Sequence, residues 1–150
     1  MTGVMIATTL EAVGLDEAIT RLMRLEAFDG AQLMDEAGAI LESSTRGRFD
    51  TKTSPDGEAW VPWSEGYDDT RDHGAHSLLV EGGWLRDSIQ SYSTGAEAKV
   101  GSNMVYAAIH QFGGEEVDSN IPARPYLGVS SEDVTDLHDL VGSYIEELLQ

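Results

Sequence analysis

From Leu15 the apolar positions fall at Leu15, Ala18, Ile19, Leu22, Met23 and Ala27, returning to one side every three or four residues. That spacing predicts a helix. Asp16 and Glu17 suit its start and Arg21 and Arg24 its later turns, and Asp29-Gly30 ends it. Upstream, residues 3–9, "GVMIATT", are apolar and β-prone and predict a short strand. A second helix is expected from Leu33 to about Phe49, with Leu33, Ala37, Ile40, Leu41 and Ser44 on one face. Gly38 costs that helix about 1 kcal/mol relative to alanine, and it marks a place where a neighbour packs closely.

Both periodicities fail over residues 50–80, which read as a long loop holding Trp60 and Trp63. Two large indoles there must cover a surface, on this chain or on a partner. "GGWLRDSI" (82–89) predicts a short helix or turn, and residues 89–102 a hairpin turning at Gly95. "MVYAAIHQF" returns to helical spacing, with Val105, Ala108, Ile109 and Phe112 as its apolar side and Gly113-Gly114 as a left-handed stop. "IPARPYLG" (121–128) is extended, because each residue before a proline is pushed out of the helical region. A last helix follows Ser130, which stands at capping-box spacing from Asp133. Its stripe is Val134, Leu137, Val141, Ile145 and Leu148, with Tyr144 beside it. The elements add up to an α+β fold: a small antiparallel sheet packed with two N-terminal helices, a short central helix and a C-terminal helix. At 150 residues, with no internal repeat, one domain is expected.

Charge changes this picture. There are 27 acids against nine Lys and Arg, a net charge of −18, and the excess runs along the whole chain. No basic patch exists to neutralise phosphates, so nucleic-acid binding by counterion release has no source. A solvated acidic surface, a high-salt environment and a surface that repels nucleic acid all fit. The absence of cysteine excludes disulfides, thiolate metal sites and cysteine catalysis. No apolar run approaches the about 20 residues that a membrane span needs, and the first residues lack the basic start of a signal peptide. The expectation is a soluble protein not exported on its own signal.

Candidate chemistry is thin. His73 and His76 in "DHGAH", with Asp72 beside them and His110 distant, would be the ligands of a small metal-dependent hydrolase, but the spacing is not HExxH. His110 reads more simply as a ring hydrogen-bonded to backbone near a helix end. No GxSxG elbow, GxxxxGK[ST] loop or GxGxxG turn is present, so no catalytic residue, metal or cofactor is expected.

More informative are four blocks that each join a backbone-shaping residue to a large anchor: 54–63, 78–89, 99–114 and 121–128. In order they offer Ser54, Pro55, Asp56, Gly57, Trp60 and Pro62; then Leu79, Gly83, Leu85, Ser88 and Ile89; then Val100, Gly101, Ser102, Tyr106, Ala107, Ile109, His110, Gln111 and Gly113; then "IPARPYLG". This series resembles the Mu-like phage virion morphogenesis family, the tail-completion proteins of contractile-tailed phages, over roughly residues 46–128. Two departures are visible. Gly82-Gly83 stands where the family has Thr-Gly, and the middle loop is acidic at Asp68, Asp69 and Asp72 where relatives are often basic.

The resemblance implies an α+β structural protein that completes the tail and joins it to the head. It implies a ring of copies at the neck, six if the ring follows a six-fold tail. The partners would be further copies, the tail terminator and tail tube, and the head–tail connector, with DNA only as passing cargo and no membrane. The protein would be assembled in the host cytoplasm and reside in the virion. The residues expected at its interfaces are Trp60, Pro62, Trp63, Trp84, His110, Phe112, Arg124 and Tyr126, with Arg124 expected to meet a carboxylate within this chain or across a subunit boundary. Gly57, Gly83, Gly113, Pro122 and Pro125 are expected to shape the fold. A monomeric adaptor binding a partner through Trp60, Trp63 and Trp84 is the competing reading, and for each aromatic the plain alternative is packing within its own chain.

Overall fold

A computed structural model describes residues 14–70 and 76–150. The strand expected over residues 3–9 lies outside them, as does His73. Helix α1 (Leu15–Glu26) and helix α2 (Ala31–Thr51) follow the apolar spacing, and Asp29 caps the break between them by accepting from the Ala31 amide (3.0 Å). Lys52 closes α2 in the left-handed conformation (φ 58°). That turn aims its ammonium at the Leu78 carbonyl (2.9 Å), and burial lowers its pKa.

Residues 50–80 are not one structureless loop. The Gly57 amide donates to the Ser54 carbonyl (2.9 Å), and Thr53 bridges Ala59. This small turn folds the chain back so that the Trp60 amide reaches the Lys52 carbonyl (2.8 Å) and its indole covers the end of α2. Gly57 sits at φ +86°, as a turn-forming glycine should. A single turn, α3 (Glu65–Asp68), and a two-stranded hairpin, β1 (His76–Ser77) with β2 (Val80–Glu81), follow. Elements this short leave no periodicity in a sequence window, which is why the segment reads as a loop.

Helix α4 (Trp84–Asp87) begins at Gly83, whose φ of +79° places Trp84 outward and Leu85 inward. Strands β3 (Gln90–Ser93) and β4 (Ala98–Gly101) pair antiparallel, Ser91 opposite Val100. The fold is therefore α+β, with two separate two-stranded hairpins where a single small sheet was expected. Helix α2 packs across β3 and β4. An alanine methyl at Gly38 would stand 3.1 Å from the Ser91 Cβ, so this glycine does mark a close approach. Beside it Glu42 accepts from the Ser91 amide (2.7 Å), a bond that lowers the carboxyl pKa.

Helix α5 (Ala107–Phe112) is turned away from the expectation. Ala107 is the buried residue, while Val105 and Phe112 are 98% and 79% exposed. The polar Gln111 takes the inner position because the extended 121–128 segment needs it. Its Oε1 accepts from the amides of Tyr126 (3.0 Å) and Leu127 (2.9 Å), and its Nε2 donates to the Leu127 carbonyl (3.1 Å). One amide side chain thus supplies the pairing that a neighbouring strand would give. Gly113 has positive φ (+81°), but its ψ of 172° is extended rather than left-handed helical. A Cβ there would meet the Ala123 amide nitrogen at 3.1 Å. Gly113→Ala is therefore expected to lower stability by about 1–3 kcal/mol, read from urea unfolding, since this region of backbone space is nearly restricted to glycine.

Helix α6 (Ser131–Leu149) starts with the expected capping box: Ser130 Oγ accepts from the Asp133 amide and Asp133 from the Ser130 amide. Its stripe is only partly covered, leaving Val134, Val141 and Ile145 exposed.

The core is Phe49, Trp60, Leu85, Ile89, Ala107 and Tyr126. Apart from Phe49, each member comes from one of the four blocks, and every block contributes. Phe49 lies edge-on to Trp60 (centroids 5.6 Å, 80°) and tilted against Tyr126 (5.3 Å, 47°). Such pairs add about 0.5–1.5 kcal/mol beyond the area they bury. The polar tips are satisfied: Trp60 Nε1 donates to the Pro125 carbonyl and the Tyr126 hydroxyl to the Ala107 carbonyl, both at 2.7 Å. Burial pushes the Tyr126 pKa to about 12. Gly128, against whose Cβ position Pro55 Cγ lies at 2.6 Å, closes the fourth block on the first.

Candidate functional site

Outside this core the same blocks leave a cleft of about 1240 Å³. Val61, Pro62 and Trp63 form one wall, just past the point where Trp60 enters the core. Leu79 and Val80 of the β1–β2 hairpin, with Trp84 of α4, form the second. Tyr106 and His110 form the floor, and Ile121, Pro122 and Arg124 the third wall. Trp84 is 70% exposed, an expense in water that the Gly83 turn imposes by sending its neighbour Leu85 inward. Trp63 packs against Tyr67 (5.9 Å, 57°) and Tyr106 edge-on against His110 (6.0 Å, 79°), so the aromatic surface is held in place rather than loose.

Of the residues expected at an interface, Pro62, Trp63, Trp84, His110 and Arg124 meet in this cleft. Trp60 and Tyr126 do not reach a surface. They are 5% and 0% exposed and belong to the core, the outcome for an aromatic whose flanking prolines and glycines fold the chain inward. Phe112 is exposed but lines a separate, smaller recess beside Gly113 and Gly114. Pro122 lines the cleft, and Pro125 serves through its carbonyl, the acceptor for Trp60.

Among the described residues of its own chain, Arg124 meets backbone carbonyls rather than a carboxylate. Its Nε donates to the Val61 carbonyl (2.7 Å) and its Nη2 to the Pro62 carbonyl (3.1 Å), tying the first block to the fourth. Burial lowers its pKa. His110 departs from the expectation. Its carbonyl accepts from the Arg124 amide (2.8 Å), but its ring Nδ1 is buried without a hydrogen-bond partner. Burial, and then the Arg124 charge, lower its pKa, so the ring is neutral at pH 7. Its ring contact is Tyr106, and among the described residues no carboxylate orients it as a general base requires. Among the described residues no group of three or more potential metal ligands gathers. The arrangement offers an apolar, aromatic, rigid recess with a few polar edges, suited to receiving another surface.

Two groups escaped the sequence reading. Tyr106, Tyr67 and Ile121 line the cleft, and the first stands in the "YAAIHQFGG" block that already drew attention. Arg48, buried in α2, reaches Asp133, Tyr126 and Gly128 across 78 to 85 residues. No local pattern marks it.

The family model described as the phage virion morphogenesis family matches residues 10–146. The chain is 32% identical over 149 residues to the putative capsid assembly protein G of Escherichia phage Mu, covering 94% of this chain and 86% of that protein. It is 26% identical over 129 residues to the Mu-like prophage FluMu G protein 1 of Haemophilus influenzae, covering 83% and 86%. With the FluMu G protein 2 of the same organism it shares 40% identity over 75 residues, about half of each chain. No solved structure matches the chain.

Proposed function

Because the chain belongs to the phage virion morphogenesis family, we propose that it completes the tail and joins it to the head at the neck, as a ring of copies around the DNA channel. Its relative in phage Mu carries a name for capsid assembly, which agrees with a structural role in building the particle. The observation that carries the reading is the cleft: Pro62, Trp63, Trp84, His110 and Arg124 gather into one preformed aromatic recess. Exposed apolar patches of this kind mark interaction surfaces. The chain's net charge of −18 would let DNA slide past without sticking. Among the described residues no helix is long and apolar enough to cross a membrane.

Deleting the gene from its phage tests this. Heads and tails that accumulate unjoined in electron micrographs, restored by the wild-type gene but not by a Trp63→Ala/Trp84→Ala double variant, are the expected result. Joined, infectious particles from the deletion would sink the reading.

A further inference from the structure

Helix α1 is twelve residues long and buries none of them. Leu15, Ile19, Leu22 and Met23 fall at i, i+4, i+7 and i+8, one apolar stripe, and Leu22 and Met23 are 61% and 62% exposed. Helix α1 packs against α6, and two side-chain ties lie near its C-terminal end. Arg24 donates to the Gln150 carbonyl, and Phe28, just past the helix, lies edge-on to Tyr144 (6.0 Å, 69°). At 1.5 Å per residue, Leu15 is about 14 Å along the axis from the Arg24 anchor. A helix this short is marginal in water by itself, so the stripe calls for a cover.

The chain also carries the opposite shape. The aromatic cleft is concave and apolar, and no residue of α1 or α6 lines it. Charge allows the same two surfaces to meet. Copies that each carry −18 repel wherever their acidic faces approach. Helix α6 brings Glu132, Asp136, Asp139, Glu146 and Glu147 with no lysine or arginine, besides the buried and paired Asp133, so it is a poor face for self-association. Among the described residues the cleft lining holds one carboxylate, Glu81, and one guanidinium, Arg124. In α1, Arg21 and Arg24 offset all but one of Asp16, Glu17 and Glu26.

We propose that α1 of one copy lies in the cleft of the next, its Leu15–Ile19–Leu22–Met23 stripe against Trp63, Trp84 and Tyr106. This rests on the reading of the protein as a ring, and it names the contact that closes the ring. A knob and a socket at different places on one chain form a head-to-tail contact, which repeats from copy to copy until the rotation closes. The mode is that of an amphipathic helix in an apolar groove.

The chain has no cysteine, so introduced thiols report alone. Ile19→Cys protein is mixed with Asn120→Cys protein, whose thiol stands at the cleft, and oxidised. Ile19→Cys mixed with Tyr92→Cys, exposed on β3, measures random collision. In parallel, light scattering gives the mass of the wild type and of Leu22→Glu, a variant that keeps its fold because Leu22 is exposed, as circular dichroism and thermal melting check. The expected result is a mixed Ile19–Asn120 disulfide at least tenfold above the Tyr92 control, and an oligomer that Leu22→Glu dissolves to monomer. Mixed disulfide at the control level, a dominant Ile19–Ile19 pair, or an oligomer untouched by Leu22→Glu overturns the contact. If the wild type is still an oligomer, the ring reading survives that failure. A monomeric wild type with a selective disulfide supports the contact and counts against the ring, whereas a monomer without one overturns both.

Discussion

Replacing Arg48 with methionine is expected to lower the free energy of unfolding by about 3–5 kcal/mol, the cost of breaking a buried ion pair from one side. Arg48 is 5% and Asp133 2% exposed, and their contact is 2.6 Å. The same guanidinium donates to the carbonyls of Tyr126 (2.8 Å) and Gly128 (3.1 Å) and to Ser44 Oγ (2.9 Å). Methionine keeps much of the volume but leaves the Asp133 carboxylate, the buried Tyr126 carbonyl and the part-buried Gly128 carbonyl short of a donor. Chemical denaturation at pH 7 measures the loss, and a change under 1 kcal/mol would contradict the role given to this pair.

Acid extends the test. Burial alone would push the Asp133 pKa up, but hydrogen bonds from Ser44 and Ser130 and the Arg48 charge outweigh it and the net pKa is lowered. A carboxyl with a depressed folded pKa contributes stability that is fully present above its unfolded value, about 3.9, and is lost as pH falls through the folded value. Wild-type stability should therefore hold down to about pH 4 before Asp133 begins to cost it. In Arg48→Met the folded pKa rises, and less of the acid-limb loss remains to be seen. Denaturation curves from pH 7 downward compare the two.

The second large effect separates two tryptophans that look alike in the sequence. Trp60→Ala is expected to cost about 3–5 kcal/mol, because it empties a core position against Phe49 and orphans the Pro125 carbonyl. Trp84→Ala is expected to change stability by no more than about 0.5 kcal/mol, since its ring is mostly in water. Its effect should appear instead in particle assembly. Thermal melts and plaque counts on the same two variants read both effects, and a Trp84 variant that melts early while assembling normally would reverse the assignment.

Why did the sequence not tell these rings apart? Turn residues mark where the chain bends but not which side of the bend faces inward. Trp60 goes in because the Ser54–Gly57 turn returns it to the end of α2, and Trp84 goes out because Gly83 hands the inward direction to Leu85. The long helices were legible because a stripe repeated over several turns outweighs any single residue. The six residues of α5 were not: their apolar spacing pointed at Val105 and Phe112, yet the inner face is set by Gln111, whose hydrogen bonds to a segment 15 residues away no window can contain. Arg124 was legible as important, but not its ties to the Val61 and Pro62 carbonyls, because backbone carbonyls leave no mark in a sequence. The order of the four blocks was the strongest signal, and the structure supplies its reason: the blocks are the core, and the cleft is what they leave outside.

Several joins between those blocks, and the buried ion pair beside them, span long stretches of chain. Trp60 reaches Pro125 over 65 residues, Arg124 reaches Val61 over 63, and Arg48 reaches Asp133 over 85. Contacts of such separation form late, after the entropy of closing large loops has been overcome. A chain still emerging from the ribosome, lacking residues 121–128, has no third wall and no docking recess. The recess is thus complete only once the last of the four blocks has folded into place.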